Sequence, residues 1–267
     1  MLFKKSIANF LTILNIIFGF IAIILVLLSI DRELATSLRY KYLEISCYMI
    51  FISSTIDVFD GKVARWLGTS GEFGKQIDSL ADLVSFCLFP SVLLFGFFYF
   101  DKSNPVLSDW FIYLTTSFPL IFGAIRLARF NAYEEQSEGE YYLGLPTPAN
   151  GILVCSMILF CLYFISSEPL NENNISYNVK IIPIIISIFS SMLLVSDLKY
   201  SKFPLLKINV SFKNNLYLAS MVLFIIALLF GTYYGFTILV LVIFILYYII
   251  LGILKLIIDS VKTMMKG

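Results

Sequence analysis

The chain has 267 residues, of which 59% are hydrophobic and 14% charged, with a formal net charge of +1 and a mean hydropathy of +0.90. A soluble domain is about 45–50% apolar and could not hide this much apolar surface, so a water-soluble globular enzyme is excluded. Histidine is absent. That excludes H-E-x-x-H zinc sites and histidine-based triads and leaves Asp, Glu, Lys, Tyr or Cys as general base.

Apolar runs near membrane-spanning length predict helices at 7–30, 41–67, 76–100, 109–132, 148–166, 180–197, 215–231 and 235–257, an all-α polytopic membrane protein of about eight spans. The first run follows Lys4 and Lys5, as in a signal peptide. It is longer than an h-region and lacks a small-residue cleavage site, so it is read as a span. Asn9 and Thr12 lie near its start, where either residue type also serves as a cap. The second helix ends in Asp57, Asp60, Gly61, Ala64 and Arg65, and the third opens with Gly74, Asp78 and Asp82. Arg126, Arg129 and Asn131 close the fourth, followed by an acidic loop at 134–140 and a Pro-rich turn at Gly144–Pro148. Cys47, Cys87, Cys155 and Cys161 all sit in apolar runs and read as buried small hydrophobes without metal spacing. Helices seven and eight read as an appendage, dividing the chain into a membrane domain at 1–200 and a C-terminal helix pair at 201–267.

Eight spans put both termini on one side. Most basic residues share that side, among them Lys4, Lys5, Lys62, Arg65, Lys75, Arg126, Arg129, Lys199, Lys202 and Lys207. Positive-inside bias makes it cytoplasmic. The loops at 68–75 and 134–140 are then expected to open to the cytoplasm.

Ionisable residues in a span are costly, about 2.5–3.5 kcal/mol each at the helix centre, yet Asp57, Asp60, Asp78 and Asp82 crowd into 26 residues. Asp57 and Asp60 are three apart, while Gly74, Asp78 and Asp82 are each four apart, so each set shares one helical face. Two antiparallel helices joined by a short turn aim these faces at each other. Four converging carboxylates cannot all stay ionised without cations, and hard divalent ions such as Mg²⁺ suit an all-oxygen site. Gly61, Ala64 and Gly74 leave room for a ligand, and Arg65 offers a forked donor to phosphate. Such a centre suits phosphoryl-type transfer, with a carboxylate able to deprotonate an alcohol. A cation transporter is the other reading of intramembrane carboxylates. It calls for aspartates spread through the membrane depth and helices broken near the midplane, whereas these four cluster toward one face.

The run Asp57-Val58-Phe59-Asp60-Gly61-Lys62-Val63-Ala64-Arg65, then eight residues, then Gly74-x-x-x-Asp78-x-x-x-Asp82, resembles the CDP-alcohol phosphotransferase signature at every fixed position. The resemblance implies a six-helix core, here with two further C-terminal helices, a homodimer, and a site for two divalent ions, Mg²⁺ or Mn²⁺, at the cytoplasmic boundary. It implies Asp57, Asp60 and Asp78 as metal ligands and Asp82 as general base, also near the metal. Asp57, Gly61, Ala64, Arg65 and Gly74 would meet the CDP-linked donor. Asn9-Phe10-Leu11-Thr12 is similar to the family's Asn-x-x-Thr donor-binding element, although Ala8 stands where many members have Pro.

Three further segments, 126–131, 144–149 and 195–200, resemble those of the family's bacterial and archaeal phosphatidylserine synthases. On that resemblance the expected reaction joins CDP-diacylglycerol and L-serine, with release of CMP. Arg126, Arg129 and Asn131 are then candidates for holding the acceptor or a lipid phosphate. Glycerol 3-phosphate, inositol phosphate and choline remain alternative acceptors. The expected partners are these substrates, membrane lipids and a second copy of the chain; nucleic acid is not among them.

Overall fold

The computed structural model describes residues 2–31, 33–68, 71–99, 108–133, 141–167, 175–201, 215, 219–220, 222–224, 226–227, 231 and 237–264. Among them, six segments are long and apolar enough to cross a membrane: Asn9–Ser29, Thr36–Val63, Glu72–Tyr99, Asp109–Ala132, Thr147–Ile165 and Thr237–Leu254. A shorter apolar helix covers Ile181–Leu194. This is an all-α integral membrane protein. The described residues within the predicted helix at 215–231 are helical, while the acidic loop at 134–140 lies outside the described residues.

Helices α1 (Leu2–Ser29) and α2 (Thr36–Leu67) pack along each other, and α3 (Glu72–Asp82) returns beside α1. The helix predicted at 76–100 is not uniform. After α3 it widens into a π-helical stretch, Leu83–Leu88, before α4 (Phe89–Tyr99). The N–H of Phe89 donates to the carbonyl of Val84, while Pro90 brings no N–H to continue the ladder. Single π-turns of this kind often border functional sites, and this one begins directly after Asp82.

The helix predicted at 109–132 is two helices, α5 (Asp109–Thr116) and α6 (Phe118–Tyr133). Pro119 removes a ladder donor at the junction. Local hydroxyls take up carbonyls there: Thr115 donates to Phe111 O at 2.8 Å, Thr116 to Ile112 O at 2.7 Å and Ser117 to Leu114 O at 2.7 Å.

Helix α7 (Thr147–Ser167) belongs to both apolar clusters of the core. One joins it to α1, α2 and α4 through Val26, Ile50, Phe86, Leu93 and Ile158. The other joins it to α8 (Ile175–Leu194) and to the last described helix, α9 (Thr237–Met264), through Leu153, Leu194, Ile245 and Ile249. All four cysteines are buried thiols outside any disulfide, Cys47, Cys155 and Cys161 inside the first cluster.

The sequence reading missed a small ribbon. Strands β1 (Tyr141–Leu143) and β2 (Lys199–Ser201) pair antiparallel, Tyr142 opposite Tyr200. Gly144 leaves β1 at φ +74°, a conformation that favours glycine. A Cβ there would also strike the carbonyl of Leu194.

Candidate active site

Helical period places Asp57 and Asp60 on one face of α2 and Asp78 and Asp82 on one face of α3, and the turn between the helices brings these faces together. Asp57, Asp60 and Asp78 each offer a carboxylate oxygen, and these atoms lie within 4.8 Å of one another. Asp82 interacts with both Asp57 and Asp78. The cluster sits at the end of the bundle where α1 begins, α2 ends and α3 begins.

Helix α1 supplies the neutral donors. The Thr12 hydroxyl donates to Asp60 Oδ2 at 3.1 Å, and Asn15 Nδ2 donates to Asp57 Oδ1 at 3.3 Å. Asn15 is wholly buried and held from behind. Ser53 donates to its side-chain Oδ1, and Ser85 donates to its backbone carbonyl at 3.1 Å. Both aspartates are thus oriented by groups that donate without adding charge. Oriented carboxylates with hard oxygen donors fit a divalent ion, whose ligands need such supporting hydrogen bonds.

Space matches this chemistry. A Cβ added at Gly61 or Gly74 would meet nothing within 4 Å, so the backbone there fronts open volume. The side chains of Ala64 and Arg65 lie outside the described ones. Asn9 is half-buried, one turn before Thr12.

The other wall comes from α6 and α7. The Thr147 hydroxyl donates to Asp82 Oδ2 at 2.9 Å, and Arg126 Nη1 donates to Thr147 Oγ1 at 3.4 Å. Asp82 Oδ1, Arg126 Nε and both amide atoms of Asn150 are buried with no hydrogen-bond partner among the described residues. Orphaned buried polar atoms are costly, so those of Asp82 and Arg126, which interact with each other, mark a place built for a polar ligand.

Arg126 and Arg129 share a helix face in sequence but do different work. Arg126 turns to Thr147. Arg129 donates to the carbonyls of Val195 at 2.9 Å and Ser196 at 3.1 Å and meets the Asp197 carboxylate at 3.4 Å. Asn131 and Ser79 exchange hydrogen bonds at 2.9 and 3.1 Å, tying the end of α6 to α3 beside Asp78.

The sequence reading missed Asn15, Thr147 and Asn150 as site residues. Asn15 had a usable signal, an amide six residues beyond Asn9 in an otherwise apolar helix. Thr147 and Asn150 had a weaker one, polar groups one turn apart at the start of an apolar helix.

Residues 5–193 match the family model described as CDP-alcohol phosphatidyltransferase. The chain is 32% identical over 199 residues to a Methanocaldococcus jannaschii protein named CDP-diacylglycerol–serine O-phosphatidyltransferase, covering 74% of this chain and 75% of that one. It is 30% identical over 167 residues to a Helicobacter pylori protein of the same name, covering 62% and 64%. A Saccharomyces cerevisiae protein of that name is 31% identical over 157 residues, covering 56% and 52%.

Proposed function

We propose, for a chain that belongs to the CDP-alcohol phosphatidyltransferase family, that it transfers the phosphatidyl group of CDP-diacylglycerol to the hydroxyl of L-serine, giving phosphatidylserine and CMP. The observation that carries the chemistry is the convergence of Asp57, Asp60 and Asp78, with Asp82 beside them and held by Thr147. Serine rests on the relatives named for it.

The donor enters from the inner leaflet with its diphosphate over the open backbone at Gly61 and Gly74. Asn9, Thr12, Ala64 and Arg65 complete its cradle, the guanidinium suited to phosphate. Asp57, Asp60 and Asp78, with Asp82 at the edge, would hold Mg²⁺ or Mn²⁺, two ions in the fullest form. When bound, such ions would shield the diphosphate and stabilise the leaving phosphate. Arg126, Thr147 and Asn150 flank the acceptor, Arg126 suited to its carboxylate. Asn131 acts through Ser79 at the rim.

Asp82 takes the proton from the serine hydroxyl. The serine oxygen bonds to the phosphorus that carries the diacylglycerol. The bond from that phosphorus to the oxygen shared with CMP breaks, and CMP leaves with the electron pair. The proton passes from Asp82 to solvent. The site faces the cytoplasm, where positive-inside bias puts both termini, and the working protein is a homodimer in the cytoplasmic membrane. Residues 1–200 carry the chemistry, and 201–267 form an added helix pair.

The test uses membranes containing the protein, CDP-diacylglycerol, Mg²⁺ or Mn²⁺ and a panel of alcohols. CMP release is expected with L-serine and is expected to vanish with a chelator. Release with a different alcohol alone overturns serine and leaves the site reading standing.

A further inference from the structure

Thr147 is the group that meets Asp82, so whatever places Thr147 places Asp82's partner. Thr147 is the first residue of α7, and its approach is fixed by the backbone just before it. The N–H of Gly144 donates to Leu198 O at 2.8 Å, and that of Leu145 to Leu193 O at 3.0 Å. Leu143 pairs with Lys199 in the ribbon. Arg129 holds the intervening turn through the carbonyls of Val195 and Ser196.

The ribbon is seated in turn on α9. Tyr200 of β2 is buried, and its ring stacks on Tyr248 of α9 with centroids 5.4 Å apart. One turn further along α9, Gly252 admits the same ring. A Cβ there would lie 2.7 Å from Tyr200 Cζ. The Tyr200 hydroxyl has no hydrogen-bond partner among the described residues, so the residue acts by ring shape. Burial pushes the phenol up to about 12, which keeps it neutral. Both α9 and β2 lie beyond residues 5–193, the part matched to the family.

We infer that Tyr200, wedged against Gly252 of the last helix, is a positioning residue for acceptor activation, setting Thr147 against Asp82 through the β1–β2 ribbon. This deepens the proposed function and rests on it. It gives the C-terminal helix a task in the reaction: α9 braces the acceptor wall, while the donor wall is built by α1 to α3. Displacing the ring therefore disturbs one substrate and not the other.

The experiment measures CMP release with purified full-length protein in lipid, varying serine and CDP-diacylglycerol separately. The parent protein comes first. If serine releases no CMP from it, the proposed function falls, and the variants are assayed with whichever alcohol does. For Tyr200→Ala and Gly252→Leu, kcat/KM for the acceptor is expected to fall about tenfold or more, with the donor KM held within about twofold. Tyr200→Phe should match the parent. In the Tyr200→Ala background, Gly252→Leu should cost nothing further, because the ring it displaces is gone. If Tyr200→Ala yields no folded protein, Tyr200→Leu carries the same criteria. Unchanged acceptor kinetics, or equal losses for donor and acceptor, would overturn the inference.

Discussion

Replacing Thr147 with valine isolates the contact nearest the proposed chemistry. Thr147 is buried at 1% exposure, and valine keeps its branched shape while removing only the hydroxyl. Two hydrogen bonds disappear, the donation to Asp82 Oδ2 at 2.9 Å and the acceptance from Arg126 Nη1 at 3.4 Å. The second is long and contributes less. A hydrogen bond to a charged group is worth about 1.5–3 kcal/mol, and each 1.36 kcal/mol in the barrier is tenfold in rate. The expected loss in kcat/KM for the acceptor is therefore about 10- to 150-fold, with serine keeping most of the activity because it restores the hydroxyl. The assay is CMP release at saturating CDP-diacylglycerol over a range of acceptor concentrations. A Thr147→Val protein within about threefold of the parent would refute the claim that this hydroxyl orients Asp82.

Asp82→Asn should abolish transfer while the protein stays folded, because Asn still accepts from Thr147 but cannot take the proton; near-normal turnover by the purified variant would sink the base assignment. Asn15→Ala removes the donor that orients Asp57, and supporting groups of this kind typically cost about 10- to 100-fold in metal affinity. The Mg²⁺ or Mn²⁺ concentration for half-maximal activity should rise accordingly, and an unmoved metal dependence would count against the site. Gly61→Ala should raise the donor KM, since the added methyl enters open volume in front of α2. Yet it should leave thermal stability level or up, because Ala is favoured over Gly in a helix by roughly 0.5–1 kcal/mol. Thermal unfolding followed alongside KM separates the two effects.

Some of this was readable from local order alone. Hydropathy identified the spans because a bilayer requires about twenty apolar residues per crossing. The period of 3.6 put Asp57 with Asp60 and Asp78 with Asp82 on single faces, and the short turn left these faces little choice but to meet. The burial of the four cysteines was equally local. Breaks within helices were harder to read. The discontinuity at Ser117 and the π-helical stretch after Asp82 depend on how prolines and neighbouring hydroxyls share carbonyls, which hydropathy does not register. Three-residue strands are too short to print a period of two.

The paired helices α2 and α3 account for only half of the site. The other half is drawn from residues distant in the chain. Asn15 reaches Asp57 across 42 positions, and Thr147 reaches Asp82 across 65. Arg126 and Arg129, indistinguishable by spacing, divide between the site and the Val195–Asp197 turn. Spacing within a helix determines which residues share a face. Which faces then meet is a property of packing, decided here by α7 at the junction of the two apolar clusters and by a tyrosine ring seated on Gly252.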